Sequence, residues 1–320
     1  MARRLFNEWF KFYFSHVIVY GFALLLFLNG KYYQTDLYLE SKKLLLSLYL
    51  LFIFIGPIYY SFWSRGELGN KSYTFLQLVK KIGFGFWQKE KIVILKEERV
   101  AVLFLFVKFF YIPLMVNFVF QNSHDLLSAF THFSLFSFLL MLFFTVDTFI
   151  FAFGYLVESV RLKNVVKSVE PTLFGWVVAL ICYPPFNGFV GRYVPWGAND
   201  YALFWSSGWT MVFRVVIIAL FLIYVCASIA LGFKASNLTN RGIVTRFPYS
   251  VVRHPAYVSK NLVWWITLLP VINIWFTLGM LFWTVIYVLR ALTEERHLLS
   301  DPDYVEYCKI VKYRFIPGVV

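Results

Sequence analysis

Residues 209–233, WTMVFRVVIIALFLIYVCASIALGF, form a run of twenty-five positions whose single charge is Arg214. An α-helix rises ~1.5 Å per residue and the hydrocarbon core of a bilayer is ~30 Å thick, so about 20 apolar residues suffice to cross it. The run therefore reads as a membrane-spanning helix, with Arg214 near one end reaching back toward the interface. Composition agrees. The 320-residue chain is 60% hydrophobic, 22% aromatic and 15% charged, whereas a soluble domain is nearer half apolar and a quarter charged.

Further apolar blocks occupy 12–29, 43–63, 100–120, 130–157 and 172–190. A last block, 258–290, is interrupted at Pro270 and Asn273 and reads as a helical hairpin. Its first arm, Val258 to Leu269, rises only ~18 Å as a helix, short of a full crossing. Both ends of the hairpin return to one side. The expected fold is all-α: a polytopic integral membrane helical bundle of about eight membrane segments, including the C-terminal hairpin, with cytoplasmic amphipathic helices.

Charge orients the bundle, because Lys and Arg concentrate in cytoplasmic loops. The connection 64–99 holds Arg65, Lys71, Lys80, Lys81, Lys89, Lys91, Lys96 and Arg99, whereas the next, QNSHDLLSAFTH at 121–132, holds no Lys or Arg. Arg161, Lys163 and Lys167 follow the fourth block and only Arg192 the fifth; Lys234, Arg241, Arg246, Arg253 and Lys260 surround the entry to the hairpin. This alternation places both termini in the cytoplasm. It also accounts for the net charge of +13 by loops facing anionic headgroups, with no nucleic-acid partner.

Arg3, Arg4 and Lys11 precede the first apolar run without a small-residue cleavage pattern, so that run is expected to be a retained span. Phe75, Leu76, Val79 and Ile82 recur at helical spacing among lysines, which suits a helix in the headgroup layer. Near the C-terminus, Asp301 can cap a helix that Pro302 begins, with Tyr304, Cys308 and Val311 on one face. Cys182, Cys226 and Cys308 have neither paired spacing nor a metal motif. The chain parses as one continuous membrane domain, an N-terminal region at 1–200 running into a core at 201–320.

The segment PYSVVRHPAY, residues 248–257, is a polar interruption ahead of the hairpin. Pro255 biases His254 toward extended backbone and suits the first turn of the helix that follows. The hairpin returns Glu294 and Glu295 to the rim from which His254 departs. Tyr249, Arg253, His254 and Tyr257 can then face two carboxylates. That grouping suits a small polar cofactor carrying both charges; equally, a basic loop and an acidic helix end can simply pair at the interface.

GIVTRFPYSVVRHPAYV, the hairpin, LTEERHLL and DYVEYCKIVKYRFIP resemble the C-terminal half of the isoprenylcysteine carboxyl methyltransferase and phospholipid methyltransferase superfamily. The resemblance covers about 230–318. It implies an integral membrane methyltransferase that uses S-adenosylmethionine and takes a lipid or lipidated acceptor from the bilayer. Arg253, His254, Pro255 and Tyr257 match the first motif, Glu294 and Glu295 the second, and Gly242, Pro248 and Tyr249 the lead-in. With Tyr249 these residues form the expected cofactor site, His254 and Arg253 are the expected catalytic residues, and no metal is implied. Two positions depart from the family pattern: Phe247 stands where a glycine commonly precedes Pro-Tyr, and Lys260 follows Ser259 where another small residue is common.

Two further readings remain open. Arg241, Arg246, Arg253 and Lys260 could serve the phosphates of NADPH in a membrane ene reductase, although Glu294 and Glu295 would repel them. A non-catalytic scaffold or transporter would be consistent with the altered Phe247 and Lys260. Elsewhere, Lys108 and Asp147 lie at similar depth in two spans, where pairing or function are alternatives. Tyr183-Pro184-Pro185 must interrupt the helical ladder of its block.

Overall fold

Among the described residues, six of the apolar blocks fold as helices long and apolar enough to cross a membrane: Trp9–Asn29, Leu39–Ser61, Lys96–Thr131, Leu135–Leu156, Ser207–Lys234 and Ile274–Leu298. A computed structural model describes residues 2–62, 70–131, 134–199 and 203–319, the side chains of residues 2–8 and 62 excepted. Arg65, the side chains of Arg3 and Arg4, and the expected boundary at 200/201 lie outside the described residues. In chain order the helices are α1 (Ala2–Asn29), the short α2 (Lys31–Asp36), α3 (Leu39–Phe62), α4 (Lys71–Gln88), α5 (Lys96–Thr131) and α6 (Leu135–Leu156). Strand β1 (Ser168–Val169), α7 (Leu173–Leu180), α8 (Phe186–Gly191), α9 (Ser207–Leu231), β2 (Thr239–Asn240), α10 (Pro255–Leu268), α11 (Ile274–Leu298) and α12 (Pro302–Ile310) follow. The chain is an all-α polytopic membrane bundle.

The other two expected membrane segments are short. The block 172–190 is not one helix but α7 and α8, parted at Tyr183-Pro184-Pro185, where the prolines offer no N–H to the ladder and their rings crowd the preceding turn. The first hairpin arm is α10, whose 14 residues rise ~21 Å. Polar residues start the elements around it. Ser206, Asn273 and Asp301 accept the backbone N–H groups of Trp209, Phe276 and Asp303 at the starts of α9, α11 and α12. Each satisfies a donor that has no partner in its own helix.

The core is built from the inner faces of these helices. Tyr111 of α5 stacks on Tyr155 of α6 at 4.9 Å, the rings 3° from parallel. Leu140, Ile217, Phe221 and Val263, all fully buried, join α6, α9 and α10; cutting Phe221 to Ala is expected to cost about 3–5 kcal/mol. The outer faces expose Phe54, Met211 and Val215, as they should where lipid is the solvent. On α4, Leu78 and Gly85 are buried while Val79, Ile82, Phe84, Phe86 and Trp87 are exposed among lysines.

Lys108 and Asp147 do not pair. Lys108 donates to Tyr20 Oη at 2.8 Å and lies over the Tyr20 and Phe104 rings. Asp147 accepts from Tyr224 Oη at 2.7 Å and from Ser228. Arg214 sits over the Phe136 ring at 4.8 Å.

Hydropathy gave no hint of one small element. β1 and β2 pair antiparallel, Ser168 opposite Asn240 and Val169 opposite Thr239. This ladder fixes residues 236–243 beside the connection that leaves α6. The same connection is tied to the C-terminal helices by Ser168 with His297 at 2.8 Å, Arg296 with Glu170 at 2.7 Å and Lys167 with Asp301 at 2.9 Å.

Candidate functional site

The RHPAY segment opens α10, with His254 as its cap and Pro255 in the first turn. Two backbone hydrogen bonds hold the segment against the C-terminal tail, Arg253 N to Tyr313 O and His254 N to Arg314 O, both 3.0 Å. At the far end of the hairpin, α11 carries Glu294 and Glu295 on adjacent positions, which point to different faces of a helix. The two carboxylates consequently have different surroundings.

Glu295 is buried and faces the RHPAY segment and tail. Its Oε1 meets His254 Nε2 at 3.1 Å and Arg253 Nη1 at 3.2 Å, and its Oε2 accepts Arg314 Nε at 2.8 Å. Arg253 also donates to Cys308 Sγ and to Lys312 O, each at 3.2 Å. Burial, the largest single influence, works against its charge, but the Glu295 carboxylate together with Cys308 and Tyr304 holds the guanidinium above its ordinary pKa. Glu294 instead accepts Tyr257 Oη at 2.8 Å, and the Tyr257 ring stacks on His254 at 5.5 Å and 4°.

A cavity of about 170 Å³ opens between α9, α10, α11 and residues 236–244. Of the residues expected at a site, Tyr249, Arg253, His254, Tyr257 and Glu294 line it; Pro255 and Glu295 are not in its wall. Tyr249 Oη is pushed well above the usual tyrosine range by burial and then by the Glu294 charge. Phe247 lies outside the wall, its side chain exposed.

Sequence reasoning missed much of the remaining wall. Tyr183 enters from the break between α7 and α8, Tyr224 and Ser228 from α9, Asn237, Thr239 and Asn240 from the β2 segment, and Tyr287 and Arg290 from α11. Arg290 is buried, donates to Asn237 Oδ1 and to Tyr183 Oη, and lies over the rings of Tyr183, Tyr257 and Tyr287 at 5.1–5.8 Å. One signal was available: Arg290 precedes Glu294 by four residues, one helical turn on the same face.

Charge in this wall is unbalanced. Glu294 is its one carboxylate, against Lys234, Arg241, Arg253, Lys260 and Arg290. Among the described residues, only Arg253 of these has a carboxylate within 4 Å. Arg241 is 3% exposed; its Nη1 donates to Asn164 O at 3.2 Å while its Nη2 has no partner among the described residues. Burial pulls its pKa below the ordinary arginine value. Buried cations without acids are costly, so the cavity favours a ligand that brings negative charge.

Residues 209–300 match the phospholipid methyltransferase family model. The matched stretch contains α10 and α11 entire and α9 from Trp209 onward, and with them His254, Tyr257, Glu294, Lys260 and Arg290. It falls on the same part of the chain as the resemblance drawn from the RHPAY and paired-glutamate motifs. No curated protein and no solved structure matches the chain at a significant level. The family match and the six membrane-length helices together support a membrane methyltransferase.

Proposed function

We propose that the chain transfers a methyl group from S-adenosylmethionine to a lipid-borne acceptor that enters the cavity from the bilayer. The observation that carries this reading is Glu294, held by Tyr257, in a tyrosine-walled cavity within the matched segment that also contains buried guanidinium groups lacking a carboxylate partner. These residues fit a ligand with an amino-acid end and a ribose. The Glu294 carboxylate can accept from hydroxyl or ammonium donors, Arg241 Nη2 or Arg290 can bind a carboxylate, and Tyr249 and Tyr257 can pack on a flat base or a sulfonium. When bound, the cofactor supplies an electrophilic methyl carbon.

The chain's own work is alignment and exclusion of water. Tyr183, Tyr224 and Tyr287 line the cavity with aromatic surface. His254 spends Nε2 on Glu295; with the proton on Nε2, its Nδ1 is free to accept one, which an amine acceptor requires and a carboxylate acceptor does not. Arg253, bound to Glu295, acts as a positioning residue for His254. The basic-loop alternation supports placing this rim, and both termini, in the cytoplasm.

The excess of cations also favours a second reading, NADPH binding by an ene reductase, while Glu294 disfavours it. Calorimetric titration of the full chain in nanodiscs with each nucleotide separates the two. Binding of S-adenosylmethionine that Glu294→Gln weakens supports methyl transfer; binding of NADPH alone overturns it, and binding of neither indicates a scaffold.

A further inference from the structure

Tyr257, Lys260 and Trp264 follow one another along one face of α10, at three- and four-residue spacing. Lys260 lies ~4.5 Å farther along the helix axis than Tyr257, away from the rim and toward the bend at Pro270. Its side chain lines the cavity, and its ammonium sits 5.4 Å from the Tyr224 ring and 5.3 Å from the Trp264 ring. Such rings hold a cation but do not neutralise it.

The nearby acid is not in contact with it. Asp147 accepts the hydroxyls of Tyr224 and Ser228, one on each oxygen, and acts on Lys260 only through space; among the described residues Lys260 has no carboxylate within 4 Å. Those two hydroxyls thereby fix the wall beside Lys260, since Tyr224 and Ser228 also line the cavity. The outcome is a positive charge held by a rigid, partly aromatic wall, deeper than the Glu294–Tyr257 pair and open to whatever fills the cavity.

Resting on the methyl-transfer reading of this cavity, we propose that Lys260 determines acceptor specificity by binding an anionic headgroup, a phosphate or a carboxylate, of the incoming lipid. A cationic or neutral headgroup of the same chain length lacks the charge that this position requires. Asp147 acts behind it by holding Tyr224 and Ser228 in place.

The test uses the full chain in neutral detergent and the amphiphiles dodecyl phosphate, laurate and dodecanol, with binding read by calorimetry. Dodecyl phosphate, laurate or both are expected to bind the native chain about ten-fold more tightly than Lys260→Met or Lys260→Gln, with Lys260→Arg restoring the difference and dodecanol binding all forms alike. The two anionic arms tell phosphate from carboxylate. Equal binding of both anions to the native chain and the neutral variants would overturn the proposal. S-adenosylmethionine is titrated into the same samples. If it binds while the anion preference is absent, Lys260 loses its role and the methyl-transfer reading stands; if it does not bind while the preference persists, the anion site stands and that reading falls. Two neutral variants guard against one that fails to fold, and unfolding temperature is recorded for each.

Discussion

Glu295 and His254 are 41 positions apart in sequence and 3.1 Å apart in space, and the same carboxylate also holds Arg253 at 3.2 Å and Arg314 at 2.8 Å. One buried acid thus joins the end of α11, the start of α10 and the C-terminal tail. Removing it leaves the Arg253 guanidinium without its carboxylate and buried His254 without its hydrogen-bond partner. Glu295→Ala is expected to cost about 3–5 kcal/mol of stability, seen as a lowered unfolding temperature and as faster proteolysis of the tail after α12.

Glu294 predicts a different outcome from its neighbour. Its partner among the described residues is the Tyr257 hydroxyl, so Glu294→Gln should leave unfolding temperature within a few degrees of the native value. S-adenosylmethionine affinity should fall about 10- to 100-fold, the equivalent of one charge-assisted hydrogen bond at ~1.5–3 kcal/mol. Equal effects of the Glu294 and Glu295 variants on stability would contradict this division of labour.

Arg290→Met tests the unbalanced charge. No carboxylate pairs with Arg290, so the variant leaves no acid stranded, only Asn237 and Tyr183 short of a donor. We expect a stable protein whose affinity for S-adenosylmethionine, or for an anionic acceptor, drops by about ten-fold or more. A variant as active as the native chain would remove Arg290 from the site.

Docking of α12 should depend on pH through Asp301 and Lys167. Burial opposes the Asp301 charge, but Lys167 and Asn240 hold its pKa below the ordinary value. Its contribution is therefore complete above the unfolded carboxylate value of about 3.9 and is lost as pH falls through the depressed folded value. Lys167 is raised, chiefly by its hydrogen bond to Asp301, so its share is present below about 10.4 and is lost as pH rises past the folded value. Asp301→Asn keeps a capping side chain and should flatten the acid limb of a pH–stability curve.

Gly154 offers a test of packing at a distance from the cavity. A Cβ there would collide with the backbone carbonyl of Ala235, at the turn that leads α9 into the β2 segment. Gly154→Ala should push that segment outward, lowering both unfolding temperature and nucleotide binding, although residue 154 touches no ligand.

What the sequence disclosed divides by range. Six long apolar runs were legible because burial in lipid is a local property of composition, and the meeting of the RHPAY segment with the paired glutamates followed from the hairpin alone. The split of 172–190 could be foreseen at Pro184-Pro185, yet its result, Tyr183 delivered into the cavity, could not. Arg290 was hidden at the edge of an apolar run, since its partners Asn237 and Tyr183 are 53 and 107 positions away. The β1–β2 ladder is two residues long, too short for any periodicity. Lys108 and Asp147 share a depth but each found hydroxyl partners nearer than the other.

The ladder and its neighbouring ties bear on how the chain can be handled. Phe151, Tyr183, Tyr304 and Tyr307 all stand in the cavity wall, yet none lies within 209–300. A fragment cut to the family-matched length would present its polar chamber to lipid on one side and its aromatic lining to water on the other. It would be expected to aggregate on expression, whereas two halves divided near residue 200 and produced together retain complementary edges and should reassemble.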